Sequence, residues 1–439
     1  MVKLARSFSC IAPTKVLVIG DFLLDKYTFG KAKRISPEAP IPVILVKSEE
    51  YRAGGAGNVV LNLLSLGSEV VAVGRVGHDE AGKTLCETLA QEGTNIKGLI
   101  CDPEFLTPVK NRIIADTQQI VRIDHEEILP ISENVEQQVI ALLPQLLEGI
   151  QIIAISDYGK GFLSRKILST LIALGRQAGI PVIADPKGID FSKYHGATII
   201  KPNLGEAIAA ANLSPDASLD HIAERILALS QSDTVMITRS EAGISLFHQD
   251  KEREDFPVRM REVKDVTGAG DTVLAMLACA LGNNLSLGDA VHLSNIAAGI
   301  AIERVGCARV SLSDIARRLL EDDVENKIFD REHLFAIQES LKGREMSILV
   351  LPNVQSLTGP IFKAIQTIKS DPSVGLLVYI EDAQPNDAII HMMASLREID
   401  FIIYNAECLQ YLCESVSSRK VYVFEGDQIV LQEPLALLR

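Results

Sequence analysis

The segment DVTGAGDTVLAMLA, residues 265–278, sets Gly268, Ala269 and Gly270 directly before Asp271 and a long apolar run. Small residues at a helix start let backbone N–H groups and the positive end of the helix dipole converge on a ligand, which makes an anion hole. A carboxylate in that first turn can take a proton from a hydroxyl while the N–H groups stabilise charge on a transferring phosphoryl group. Alone, the same residues also describe an acidic residue favoured by the dipole after a glycine turn. A second segment, RAGGAGNVVLNLLSLG, places Gly54, Gly55 and Gly57 ahead of Asn58 and another apolar helix. There the backbone can approach a ligand closely, and Asn58 can both donate and accept hydrogen bonds to hydroxyls. KPNLGE adds Asn203, Leu204, Gly205 and Glu206; the three-residue spacing puts Asn203 and Glu206 on one side of a helix start, the pattern of a capping box. No GxxxxGK followed by Ser or Thr occurs, so phosphate binding requires machinery other than a P-loop.

These residues need strand ends and helix starts to hold them. KVLVIGDFLLD reads as a first strand, its apolar run from Val16 to Ile19 ending at Gly20 and Asp21 as in a strand buried on both faces. VVAVGRVG, IQIIAISDYG, IPVIADPKG, GATIIKPNLGE and DTVMITRSEAG repeat the plan. With helical patterns between several of them, they predict a doubly wound α/β sheet with ligands outside the strand carboxyl ends. Two segments near 35–52 and 107–127, PIPVILVKSEEYRA and VKNRIIADTQQIVRIDHEE, read as strand pairs without helices. They form either a small β lid or edge hairpins with no lid role. A first domain is expected over 1–320, a charged linker over 321–345, and a smaller α/β domain over 346–439, marked by SILVLPN, GLLVYIED, DFIIYNAE and KVYVFEGDQIV.

Composition narrows the function classes. The 439 residues are 47% hydrophobic and 23% charged, enough for two or three packed domains. The net charge of −14 is spread along the chain, so no segment offers a basic footprint for nucleic acid. The longest apolar run, residues 273–281, falls short of the ~20 residues that span a bilayer and reads as a core helix. With no signal-peptide core at the amino terminus, the expectation is a cytoplasmic protein without membrane partners. Seven cysteines without CxxC spacing argue against disulfides and zinc, and are expected as small buried side chains.

The GGAGN and GAGD segments, about 210 residues apart and in this order, resemble the two signature segments of the ribokinase (PfkB-type) sugar kinases, over residues 11–320. The resemblance implies a ribokinase-like doubly wound sheet with a β lid, ATP as phosphoryl donor and Mg²⁺ as companion. It gives Asp271 the role of catalytic base and Gly268, Ala269 and Gly270 the anion hole. Gly54, Gly55 and Asn58 fall to the sugar, as does Asp21 with help from Asp25. Asn203, Leu204, Gly205 and Glu206 fall to ATP, with Asn203 and Glu206 placing Mg²⁺ indirectly through water. Thr238, Arg239 and Gly243 of TRSEAG fall to the nucleotide phosphates, and Asn295 and Gly299 of SNIAAGIAIERVG to a helix beside the adenine.

A narrower likeness lies in GDFLLDKYTFGKAKRISPEAPIPV, SDYGKGFL, DPKG, TQQIVRIDHEE and KPNLGE, which together resemble the D-glycero-β-D-manno-heptose 7-phosphate kinases of lipopolysaccharide core synthesis. The implied reaction is transfer of a phosphoryl group from ATP to O1, giving heptose 1,7-bisphosphate and ADP. Arg34, Ser36, Glu38 and Pro40 of RISPEAP would line the mouth of the sugar pocket. Arg34, Lys110, Arg112, Arg122, Lys160 and Lys187 are the candidate cations for the 7-phosphate, each equally readable as a solvated surface charge. Family members often dimerise through the lid, which implies a homodimer. A kinase for another sugar or sugar phosphate, and a non-catalytic nucleotide- or sugar-sensing scaffold, are the alternatives.

Residues 346–439 resemble the cytidylyltransferase-type adenylyltransferase domain fused to this kinase in bifunctional heptose enzymes. That family's GCFDxxHxGH-type segment falls here on LPNVQSLTGPIF, which has no His; Thr358, Gly359 and Pro360 take its place, and only His391 lies in the domain. The resemblance implies a folded, degenerate domain kept for packing or dimer stability, with the second step left to a separate adenylyltransferase. The alternative is an unrelated α/β module that binds a partner.

Overall fold

The computed structural model describes residues 2–116, 118–249, 251–258, 263–322, 327, 329, 333–342, 345–352, 354, 356–371, 374–382, 386–415 and 419–432. The chain divides into two compact units, one of Ala12–Val310 and one of Met1–Ile11 with Ser311–Arg439. The division thus falls before residue 320, and the helices Val2–Ser9 and Leu312–Asp322 group with the carboxyl-terminal unit.

In Ala12–Val310 the main sheet has nine strands, in the order Lys251–Phe256, Ile244–His248, Thr234–Thr238, Ile199–Ile200, Val182–Asp185, Ile152–Ser156, Lys15–Gly20, Glu69–Gly77 and Asn95–Asp102. From Thr234–Thr238 to Asn95–Asp102 all neighbours are parallel, and the first two strands add an antiparallel edge. Val16 through Ile19 are each 0% exposed, as expected of a parallel strand covered on both faces. The helix Ala269–Gly282 is apolar nearly all round and is buried along almost its whole length, which makes it a core helix.

KVLVIGDFLLD is not one strand. Lys15–Gly20 ends where Gly20 presses on its neighbour; a Cβ there would lie 2.0 Å from the Ser156 carbonyl oxygen. The chain leaves the sheet at Asp21 and begins a second sheet at Phe22. This lid has four strands, in the order Pro42–Gly55, Phe22–Ile35, Val109–Ala115 and Gln118–His125, so it starts well before the residues near 35 where it was expected. Asp25 lies opposite Arg52 and Lys110, Tyr27 opposite Arg112, and Arg112 opposite Arg122. Directly paired residues share a face, so one face of the lid collects these charges. The other face carries Tyr51, Val121 and Ile123, which are exposed.

The carboxyl-terminal unit holds a five-stranded sheet in the order Phe401–Ile403, Gly375–Glu381, Met346–Pro352, Arg419–Glu425 and Gln428–Gln432, parallel except for the last hairpin. Ile348, Val350 and Leu377 pack on one face with Leu334 and Leu412, and Leu349, Leu351 and Val378 on the other with Ile361 and Ile365. KVYVFEGDQIV forms the antiparallel hairpin of the last two strands. The cysteines are free, but not all buried as expected: Cys10 and Cys101 are exposed and Cys86 is half-buried. Among the described residues no helix is long and apolar enough to cross a membrane.

Candidate active site

Asp271 sits where several strand ends and two helix starts meet. Its helix begins after Gly268, whose φ of 79° is left-handed; a Cβ there would stand 2.8 Å from Asn58 Nδ2. Glycine is therefore required both by the dihedral and by the close approach. Asn58 Nδ2 donates to Asp271 Oδ2 at 2.7 Å, and the Tyr158 hydroxyl donates to Oδ1 at 2.7 Å. Asn58 is itself held by Asn62, whose Nδ2 donates to its Oδ1 at 3.2 Å. Burial pushes the Asp271 carboxyl up to about 7, against the two hydrogen bonds, which favour the charged form. A carboxyl poised there changes protonation state near neutral pH, as a general base must.

A buried cation stands beside the same helix start. Lys201 is 2% exposed and pairs with Asp185 Oδ2 at 2.9 Å. A Cβ on Gly270 would lie 3.9 Å from Lys201 Nζ, so the ammonium stands beside the helix start. Burial raises the Asp185 pKa and Lys201 opposes it.

On the other side of Asp271 lie two further aspartates. Asp21 Oδ2 accepts from the Tyr158 N–H at 2.9 Å and the Lys160 N–H at 3.0 Å, and burial raises its pKa, with the charge of Asp157 adding to the effect. Asp25 is ion-paired with Arg112 and stands 3.8 Å from Cys307 Sγ. Cβ atoms on Gly54 and Gly55 would fall 2.2 Å from Asp25 Oδ2 and 2.6 Å from the Asp21 carbonyl oxygen. These glycines let the strand pass against both aspartates.

Three cations in or beside the lid pair with acids. Lys110 Nζ lies 3.4 Å from both Asp124 and Glu126, Lys160 Nζ 2.7 Å from Glu126, and Arg122 Nε 2.9 Å from Asp124. Burial opposes ionisation of Glu126, yet Lys160 and Lys110 hold its pKa below the usual range. Arg34, Ser36 and Glu38 lie at the tip of the long lid hairpin, with Arg34 and Glu38 exposed and the Glu38 N–H donating to Ser36 Oγ at 3.2 Å.

Asn203 caps the helix Leu204–Ala211, its Oδ1 accepting from the Glu206 N–H at 2.9 Å while Glu206 Oε2 accepts from the Asn203 N–H at 3.1 Å. Lys187 Nζ contacts Glu206 Oε1 at 2.7 Å, which sets it beside this helix start rather than with the lid cations. Thr238 bridges to Asn203 along the backbone. Arg239 pairs with Asp255 at 3.2 Å. Gly243 has a φ of 82°, and a Cβ there would lie 2.0 Å from the Phe256 carbonyl oxygen, to which Asn295 Nδ2 donates at 2.9 Å. Gly299 is half-buried in the helix Leu287–Ile302. Asp185 lies near enough to feel the charges of Lys187 and Glu206. Among the described residues no cluster of three or more His, Cys, Asp or Glu could cage a metal ion.

The structure thus joins Asp271, Asn58, Gly268 and Gly270 at one centre, with Asp21, Asp25, Gly54, Gly55 and Arg112 beside it. Sequence reasoning missed Tyr158, Asp185 and Lys201. Asp185 closes a parallel strand, and Tyr158 and Lys201 follow the ends of two others, in ADPKG, SDYG and IIKPN; that position is the signal that could have found them.

Residues 13–314 match the model of the pfkB family carbohydrate kinases. A bifunctional protein HldE from Trichlorobacter lovleyi is 43% identical over 345 residues, covering 77% of this chain and 70% of that one. Another from Geotalea uraniireducens is 44% identical over 334 residues, covering 75% and 68%. Both are named bifunctional, and the expectation of a separate adenylyltransferase partner is accordingly withdrawn. Among solved structures, phosphofructokinase-2 from Escherichia coli in complex with potassium aligns over 70% of this chain and 98% of its own, with a TM-score of 0.58 at 20% identity. Ribokinase of Arabidopsis thaliana complexed with ribose and ATP aligns over 70% and 99%, with a TM-score of 0.54 at 19% identity. These two share the fold of Ala12–Val310, a ribokinase-like α/β sheet.

Proposed function

We propose, for a chain that belongs to the pfkB family of carbohydrate kinases and is a sugar kinase, transfer of the ATP γ-phosphoryl group to O1 of D-glycero-β-D-manno-heptose 7-phosphate, a step toward ADP-heptose. The observation that carries the chemistry is Asp271, a buried carboxyl of pKa about 7 at the mouth of a glycine-walled helix start. The choice of sugar rests on the HldE relatives and on the cation-bearing face of the lid.

Asp21, Asp25 and Asn58 hold sugar hydroxyls. Asp271 takes the O1 proton as O1 attacks the γ-phosphorus in line, and ADP leaves with the pair of electrons from the broken bond. The N–H groups at the helix start and Lys201 stabilise charge on the transferring group, so the catalysis is positioning and electrostatics. A bound divalent cation supplies charge neutralisation on the phosphates; Asn203, Glu206 and Asp185 offer an oxygen-only donor set, which suits Mg²⁺ held through water. Lys187, paired with Glu206, belongs with the nucleotide. The 7-phosphate falls to Arg112, Lys110, Arg122 and Lys160, with Arg34 at the lid tip. Lid closure excludes water that would compete for the phosphoryl group. The exposed Tyr51, Val121 and Ile123 on the opposite lid face support a homodimer through the lid.

The carboxyl-terminal unit is read as a degenerate adenylyltransferase-like sheet, on the absence of His from LPNVQSLTGPIF and the place of Pro360 in the first turn of the helix Gly359–Ile368. Incubation of the protein with heptose 1-phosphate, ATP and Mg²⁺ is expected to release no pyrophosphate; release would show an active domain.

ADP release measured across a panel of sugars tests the kinase reading. Heptose 7-phosphate is expected to give the highest kcat/KM. A higher value for ribose, fructose or fructose 6-phosphate would reassign the substrate.

A further inference from the structure

We infer that Tyr158 is a positioning residue, its hydroxyl fixing the Asp271 carboxylate and its backbone N–H fixing Asp21, so that one residue sets the acceptor side of the site in register with the base. The inference rests on the reading of Asp271 as the base. Tyr158 stands two residues after the strand Ile152–Ser156. The turn that carries it is pinned from both sides. Asp157 accepts from the Gly159 N–H at 2.7 Å, from Lys193 Nζ at 2.6 Å and from the Tyr194 hydroxyl at 2.6 Å. Arg75, 2% exposed, donates to the Lys160 carbonyl oxygen at 3.2 Å and lies 3.9 Å over the Phe105 ring. The phenol is thereby aimed at Asp271 Oδ1 by a turn with little freedom.

An ionised carboxylate oxygen has two lone pairs, so Oδ1 can accept from Tyr158 and still receive a sugar hydroxyl. The phenol remains a donor at working pH, because burial and the charge of Asp271 hold its pKa well above the ordinary value. The other groups facing Asp271 are the Asn58 amide, the charges of Lys201 and Asp185, and the Cys307 thiol, which burial and the charges of Asp25 and Asp271 push up to about 12 and so keep neutral. Of these, Tyr158 and Asn58 alone donate hydrogen bonds to the carboxylate.

The test is Tyr158→Phe, which keeps the ring and removes the hydroxyl. A hydrogen bond to a charged group is worth enough to move a pKa by about one unit. The acidic limb of kcat/KM for the sugar is therefore expected to move up by about one pH unit. Turnover at pH 7 should fall about fivefold and recover as the pH rises past the new limb, with the KM for ATP unchanged. A purely structural role would lower activity at every pH and leave the limb in place. A fluorotyrosine at position 158, whose more acidic phenol donates more strongly, should move the limb down, and it decides the matter if Tyr158→Phe folds poorly by thermal melting. A limb that stays put in both proteins overturns the inference. Asp271→Asn separates the two claims: if it keeps its turnover the base reading fails, and if it is inactive while the Tyr158 limbs do not move, only the role of Tyr158 fails.

Discussion

Replacing Asp271 by Asn should make the protein both slower and harder to unfold, and the second effect should depend on pH. The side chains are nearly isosteric, and Asn retains an oxygen to accept from one of its two donors, Asn58 or Tyr158. Loss of a positioned general base lowers turnover by about 10² or more. Stability moves the other way because the folded-state pKa, about 7, lies above the unfolded value. Ionisation is then penalised in the fold: the penalty is absent below about pH 4, grows between about 4 and 7, and is complete above 7. A rise of about three units corresponds to up to about 4 kcal/mol for a group this buried, less about 1 kcal/mol for the hydrogen bond that Asn cannot accept. Urea denaturation at about pH 5 and pH 8, beside steady-state ADP release, measures both sides. The variant's stability advantage should widen by about 2 kcal/mol or more toward pH 8. Turnover within tenfold of the parent would move the base elsewhere, and a gap that does not widen with pH would refute the poised carboxyl.

Three further changes probe the rest of the site. Lys201→Met removes the cation beside the helix start of Asp271 and leaves the half-buried Asp185 without its ion pair; turnover should fall at least about tenfold with little change in sugar KM, and thermal melting should show a loss of about 1 kcal/mol or more. Arg112→Glu sets a second carboxylate against Asp25, and initial-rate kinetics should show the sugar KM raised at least tenfold with the ATP KM within about twofold. Gly243→Ala forces a Cβ toward the Phe256 carbonyl at a left-handed dihedral; a loss of at least about 2 kcal/mol in urea denaturation, with a raised ATP KM, is expected.

The main sheet was legible because a parallel strand buried on both faces leaves a continuous apolar run ending in polar residues, as Val16–Ile19 and Ile152–Ile155 do. The meeting of Asn58 with Asp271 was legible only from the GGAGN and GAGD segments together, since GAGD alone also reads as an acidic residue at a helix start. The end of the first strand at Gly20 was legible as well, but the start of a second sheet at Phe22 was not, since Phe22, Leu23 and Leu24 read as more of the same apolar run. Lys160 and Lys187 were equally opaque. Both follow strand ends, in DYGK and DPK, and look alike in sequence. One pairs with Glu126 on the lid side and the other with Glu206 at the helix start, which places them in different parts of the site. Their partners lie 34 and 19 residues away, and no local pattern encodes that choice. Under the proposed reaction a chain of net charge −14 must receive two polyanions, and the same pairings bear on how it would. Its site cations are held in place by carboxylates such as Glu126 and Glu206, so an arriving phosphate competes for ion pairs already formed and aligned. Side-chain ordering has been met in advance, and the phosphate's gain is the difference between a dianion and a single carboxylate at the same cation.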